Sequence, residues 1–127
     1  MPHRDALRIL LVEPSPHVRE RLVGALADGR GADVVVAVAR VSEGLRALEQ
    51  APFRAAVIDA ECEGNSGVTL AATVLLRWPG TAVLLLAGDL EDELLLRARR
   101  LGVHEVLQRD DTAGLARVLG VIGRPVA

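Results

Sequence analysis

The chain has 127 residues, half of them hydrophobic, and a formal net charge of -2. That balance fits one domain with its own core, and it excludes both a disordered chain and an overall basic field for nucleic acid or membrane. The one cysteine, Cys62, excludes an internal disulfide.

The first apolar run, Ile9-Leu10-Leu11-Val12, is far too short for a signal peptide or an anchor, so a cytoplasmic protein is expected. It reads as a strand over 8–13 that ends in Glu13. Ser15 before Pro16 marks a helix start, an N-cap followed by a first-turn proline, and the helical pattern runs over 16–28. Gly29 and Gly31 are placed to end it. A second strand covers 33–39, and Ser42 is placed to cap a helix over 42–51.

The third strand, 54–59, ends in Asp59, and Gly67 follows eight residues later. A helix over 66–78 stops at Trp78-Pro79-Gly80. The fourth strand covers 82–87. The helix over 90–101 runs from Glu91-Asp92-Glu93 to Arg97, Arg99 and Arg100, a charge order that complements its dipole, and Gly102 ends it. A last strand, 104–107, precedes a helix over 112–122 with Thr112 as its expected cap.

Five strands alternating with five helices predict a parallel sheet covered on both faces, with a core over about 7–122. Val34-Val35-Val36 and Val83-Leu84-Leu85-Leu86 are continuous apolar runs, as burial on both faces requires. Ligands of such sheets bind at the carboxyl ends of the strands. Glu13, Asp59, Ala87 and Arg109 fall at or next to those ends. Two carboxylates converging there suit a hard divalent cation. Glu61, Glu63, Asp89 and Asp110 add negative charge to the same rim. Asp89 or Asp110 is available as a further acid.

Other chemistries fit less well. There is no phosphate-binding Gly-Lys loop. Gly29-Arg30-Gly31 precedes a strand rather than opening a helix after one. Gly64-Asn65-Ser66-Gly67 lacks the second spaced glycine of a nucleophile elbow, because Val68 stands there. Asp59-Ala60-Glu61 resembles the Asp-x-Asp of aspartyl phosphatases, which carry it on their first strand and need a lysine. His3, His17 and His104 have no metal-binding spacing. Trp78 is most simply a packing residue at a helix end.

Across nearly its whole length the chain resembles the receiver domain of two-component response regulators. The best stretch is Ile9 to Arg19, similar to that family's apolar strand, acidic cluster, proline and arginine. Asp59 to Gly67 has the spacing from phosphoacceptor to loop glycine, and Leu101 to Arg109 resembles the last strand. The resemblance implies a flavodoxin-like (βα)5 fold of strand order 2-1-3-4-5. It also implies magnesium-dependent phosphorylation of Asp59 by a histidine kinase or phosphotransfer protein. The implied metal ligands are Glu13, Asp59 and the backbone carbonyl of Cys62, whose sulfur is incidental.

The departures are specific. Pro14 stands where the family has a second acid, Ala87 where it has a Ser or Thr, and Val106 where it has an aromatic switch residue. All 15 basic residues are arginine, so Arg109 takes the lysine position and no lysine can replace it. Arginine keeps the charge but has a different reach and a two-pronged geometry. The expectation is an atypical receiver in bacterial phosphorelay signalling, with a weak magnesium site and no conventional switch. The alternative is a receiver-like interaction or dimerisation module that needs no phosphate. Arg109 is expected to bind phosphate or to pair with Asp59, Asp110 or Glu13. Output is expected through a partner, or through a region outside this sequence, since no DNA-binding segment follows the last helix. The expected docking or homodimer face is the fourth helix, fifth strand and fifth helix, drawing on Leu94, Leu95, Arg99, Arg100, Val103, Arg117 and Val118.

Overall fold

In a computed structural model of the chain, residues 6–28 and 32–123 are described. The order is β1 (Arg8–Val12), α1 (Pro16–Ala27), β2 (Val34–Val38), α2 (Val41–Gln50), β3 (Ala55–Asp59), then α3 (Ser66–Arg77), β4 (Ala82–Ala87), α4 (Asp92–Leu101), β5 (Glu105–Gln108) and α5 (Thr112–Ile122). The sheet is wholly parallel, in the order β2-β1-β3-β4-β5. This is the expected flavodoxin-like order.

Alternation along the buried strands divides the core. Leu10, Val12, Ala56, Ile58, Val83 and Leu85 face Leu48 of α2, the buried residues of α3 and Ala98 of α4. Ile9, Leu11, Ala55, Val57, Leu84 and Leu86 face Leu22 and Leu26 of α1 and Leu115, Val118 and Leu119 of α5. Every residue of β3 is buried, so Asp59 ends a strand clamped from both faces. β2 differs from expectation: its valine run is only half-buried throughout, because the strand lies at the sheet edge with a single neighbour.

Helix boundaries differ where several residues could cap. Ser15 caps α1 as expected, its Oγ accepting from the Val18 N–H at 3.4 Å. The expected stop at Gly29 and Gly31 lies outside the described residues, as does His3. α2 begins before Ser42: Glu43 accepts from the Arg40 N–H, and Glu63 accepts from the Val41 N–H across 22 positions. α4 begins two residues late, at Asp92. Asp111, not Thr112, caps α5, its carboxylate accepting from the Gly114 N–H at 2.8 Å. Gly102 ends α4 with a φ of 90°, a left-handed conformation that glycine adopts without strain.

The packing corrects one further expectation. Val118 is 7% exposed and belongs to the core. Leu95, Arg99, Arg100 and Arg117 are exposed and Leu94 and Val103 half-buried, so the surface of α4–β5–α5 is formed by these without Val118.

Candidate functional site

Three strand ends bring the site together. Glu13 follows β1, and its backbone N–H donates to Val38 O at 3.0 Å. Asp59 closes β3. Arg109 follows β5, and its N–H donates to Ala87 O at 2.9 Å. Glu13 and Asp59 are 1% and 3% exposed.

The Arg109 guanidinium grips Asp59 with two prongs, Nε to Oδ2 at 2.9 Å and Nη2 to Oδ1 at 3.0 Å. Nε also lies 3.5 Å from Glu13 Oε1, and Nη2 lies 3.7 Å from Glu61 Oε1. One cation therefore faces three carboxylates. Bidentate pairing is the strong form of a charged hydrogen bond. It pushes the Arg109 pKa further up, against the opposing effect of burial.

Backbone groups hold the acids. The Glu61 N–H donates to Asp59 Oδ1 at 2.9 Å and the Ser15 N–H to Glu13 Oε2 at 2.9 Å. Arg19 fixes the turn after β1 by donating to Glu13 O at 3.0 Å. The other Glu13 oxygen, Oε1, is buried without a hydrogen-bond partner. Burial, and the Asp59 carboxylate beside it, raise the Glu13 pKa from 4.5 to about 7, while the Ser15 N–H and Arg109 pull the other way.

The loop after β3 explains the spacing of Asp59 and Gly67. A side chain at Gly67 would collide with the Asp59 carbonyl and lie 2.9 Å from Ala60 O, so the first turn of α3 packs directly on the strand end. The Cys62 N–H donates to Asp59 O at 3.1 Å, which puts the Cys62 peptide beside the acid. Its sulfur turns inward, donating to Ala39 O at 3.6 Å, and burial raises its pKa. The thiol stays protonated there and offers no soft ligand.

The acidic rim divides. Glu61 joins the cluster and also accepts from the Gly88 N–H at 3.4 Å. Its part was not read from the sequence, though a second acid two residues past a strand-end aspartate was a signal for it. Glu63 turns away to Val41. Asp89 and Asp110 are exposed, and among the described residues neither joins Arg109, Glu13 or Asp59. Pro14 is exposed beside the pair, Ala87 is buried and contributes no hydroxyl, and Val106 is half-buried against the face of α2, α3 and α4.

The donors suit a hard divalent ion in chemistry: two carboxylates, one with an unpartnered buried oxygen. Among the described residues no group of three or more His, Cys, Asp or Glu could hold a metal ion. Arg109 already supplies positive charge at the pair. A cleft of about 270 Å³, lined by Arg21, Gly88, Gln108, Arg109 and Asp110, opens beside the guanidinium. Among the described residues, no helix is long and apolar enough to cross a membrane.

No protein-family model matches the chain. It is 29% identical over 123 residues to the sensor protein TorS of Escherichia coli K12, a match covering 96% of this chain and 12% of TorS, so the chain spans about an eighth of that relative. Among solved structures it is similar to a CheY-like response regulator receiver domain protein of Methanospirillum hungatei JF-1, with a TM-score of 0.83 at 18% identity, covering 94% of each chain. It is also similar to the signal receiver domain of an HD domain-containing protein of Pseudomonas fluorescens Pf-5, with a TM-score of 0.83 at 22% identity, covering 96% of this chain and 89% of that one. The fold of this chain is that of a CheY-like response-regulator receiver domain, with Asp59 at the end of its central strand and an arginine clamped on it.

Proposed function

We propose that the chain is an atypical receiver module of two-component signalling, cytoplasmic, with Asp59 as its phosphoacceptor. The observation that carries this reading is the convergence of Glu13, Asp59 and Arg109 at the carboxyl ends of β1, β3 and β5 of one parallel sheet. The likeness to part of a sensor protein supports a signalling role. The donor is a histidine kinase, a phosphotransfer protein or a small acyl phosphate. In the transfer, an Asp59 oxygen forms the new bond to phosphorus as the bond from phosphorus to the donor breaks, and the leaving group carries away the electron pair.

Each residue contributes a separable part. Asp59 must release at least one prong of Arg109 before an oxygen can attack. The freed guanidinium can then pair with phosphoryl oxygens, which its geometry suits. Glu13, Asp59 and the Cys62 carbonyl are the residues that would hold a magnesium ion, which supplies charge neutralisation when bound. Ala87 provides no hydrogen bond to the moving group. Loss of such a donor typically costs on the order of 2.7–4 kcal/mol of transition-state stabilisation, by analogy with an oxyanion hole.

Labelling by acetyl phosphate, followed by intact mass, should therefore be slow and should vanish in Asp59→Asn. Rapid stoichiometric labelling that persists in Asp59→Asn would place the acceptor elsewhere.

A second reading, a docking module that needs no phosphate, is favoured by the closed state of the site. Both Asp59 oxygens are taken, and Ala87 and Val106 offer no hydroxyl or ring to relay a change. In either case the surface for a downstream partner or a second copy is α4–β5–α5, where Leu95 and Leu96 are exposed.

A further inference from the structure

Buried carboxylates need a compensating cation, because desolvation of an unpaired charge is too costly to leave standing. Glu13 and Asp59 are such a pair, and among the described residues Arg109 is the one cation that forms an ion pair with either. A lysine ammonium is a point charge that engages one carboxylate oxygen at a time and leaves the other open. The guanidinium fork covers both Asp59 oxygens and still reaches Glu13 and Glu61. Gly88 makes room for it: a Cβ there would stand 3.3 Å from Arg109 Nη1.

We infer that Arg109 is the resident cation of this site, and that a divalent ion enters only by displacing the guanidinium toward the adjoining cleft. The inference rests on reading Glu13 and Asp59 as the metal-binding pair, and it assigns the weakness of metal binding to competition as well as to the acid missing at Pro14. The cleft lined by Arg21, Gln108 and Asp110 gives the displaced side chain a solvated position. Asp110 is an exposed carboxylate there, able to take up the charge that Asp59 gives up.

The test is magnesium titration of the full chain by calorimetry and amide NMR, for the native protein, Arg109→Gln and Arg109→Lys. Arg109→Gln should bind magnesium on the order of tenfold more tightly, the size of effect that one neighbouring unit charge has on a charged group's equilibrium. Magnesium should also raise the melting temperature of Arg109→Gln at concentrations that leave the native protein unmoved. Arg109→Lys keeps the positive charge and so guards against loss of folding. It should bind magnesium more tightly than the native protein, because an ammonium frees one Asp59 oxygen. Equal affinity in the native protein and Arg109→Gln, or weaker binding in Arg109→Lys, would overturn the inference. So would no binding in any variant. Acetyl phosphate labelling of Asp59, scored in parallel, shows whether the phosphoacceptor reading falls with it or stands alone.

Discussion

Arg109→Ala should lose about 3–5 kcal/mol of unfolding free energy at pH 8, the usual result of removing one partner from a buried ion pair. The size follows from what is left behind rather than from the contacts deleted. Asp59 and Glu13 are nearly inaccessible to water, and without the guanidinium each repels the other. Asp59 would retain the Glu61 N–H and Glu13 the Ser15 N–H, which soften the loss but do not neutralise charge. Urea unfolding of the two proteins measures the difference. The deficit should shrink at pH 5, where the raised pKa of Glu13 leaves it protonated and removes one of the two charges. A loss below about 1 kcal/mol, the range of exposed ion pairs, would show that the cluster behaves like a surface network.

Glu13 sets the second large effect. Its folded-state pKa is raised from 4.5 to about 7, so between those values the folded protein binds more protons at this group than the unfolded chain. Stability from this group is therefore complete below pH 4.5 and is lost as pH rises through about 7. At 1.36 kcal/mol per unit, the full difference is about 3 kcal/mol. Glu13→Gln keeps the shape and an acceptor for the Ser15 N–H but cannot charge. It should be more stable than the native protein at pH 8, by up to about that amount, and nearly equal to it near pH 4.5. The charged groups acting on Glu13 are Asp59 and Arg109, so the measurement is made with chelator present and read as the difference between the two proteins. A difference that does not change with pH would show that folding leaves the Glu13 pKa where it is in the unfolded chain.

The frame of the molecule was legible because the strands announce themselves. Ile9–Val12, Ala55–Ile58 and Val83–Leu86 are apolar without interruption, and only a doubly covered sheet hides both sides of such a run. The valines of β2 carry the same signal yet lie at the edge, since strand order is a long-range property that a local run does not encode. Caps were ambiguous for the same reason. Asp110, Asp111 and Thr112 are all competent, and only the approach of Gly114 selects Asp111. The start of α2 depends on Glu63, which lies in a different loop with a φ of 50°.

At the site, Glu13, Asp59 and Arg109 could be placed on strand ends from the sequence. The two-pronged grip, the recruitment of Glu61 and the orphaned Glu13 oxygen could not. They depend on how far a guanidinium reaches across two loops.

On the proposed reading, this chain lacks the relay by which a phosphoryl group would reach α4. A ligand shifts an equilibrium only by its differential affinity for the two states. Ala87 has no hydroxyl for a phosphoryl oxygen to draw inward, and Val106 has no ring to turn behind it. Occupation of Asp59 should therefore leave α4 and the oligomeric state as they are. The most direct measurement is amide-shift mapping with magnesium and beryllofluoride, run beside light scattering. Shifts confined to the surroundings of Glu13, Asp59, Cys62 and Arg109, with unchanged mass, are expected. Large shifts across residues 90–107, or a mimic-dependent change from monomer to dimer, would contradict that reading and show a working phosphorylation switch.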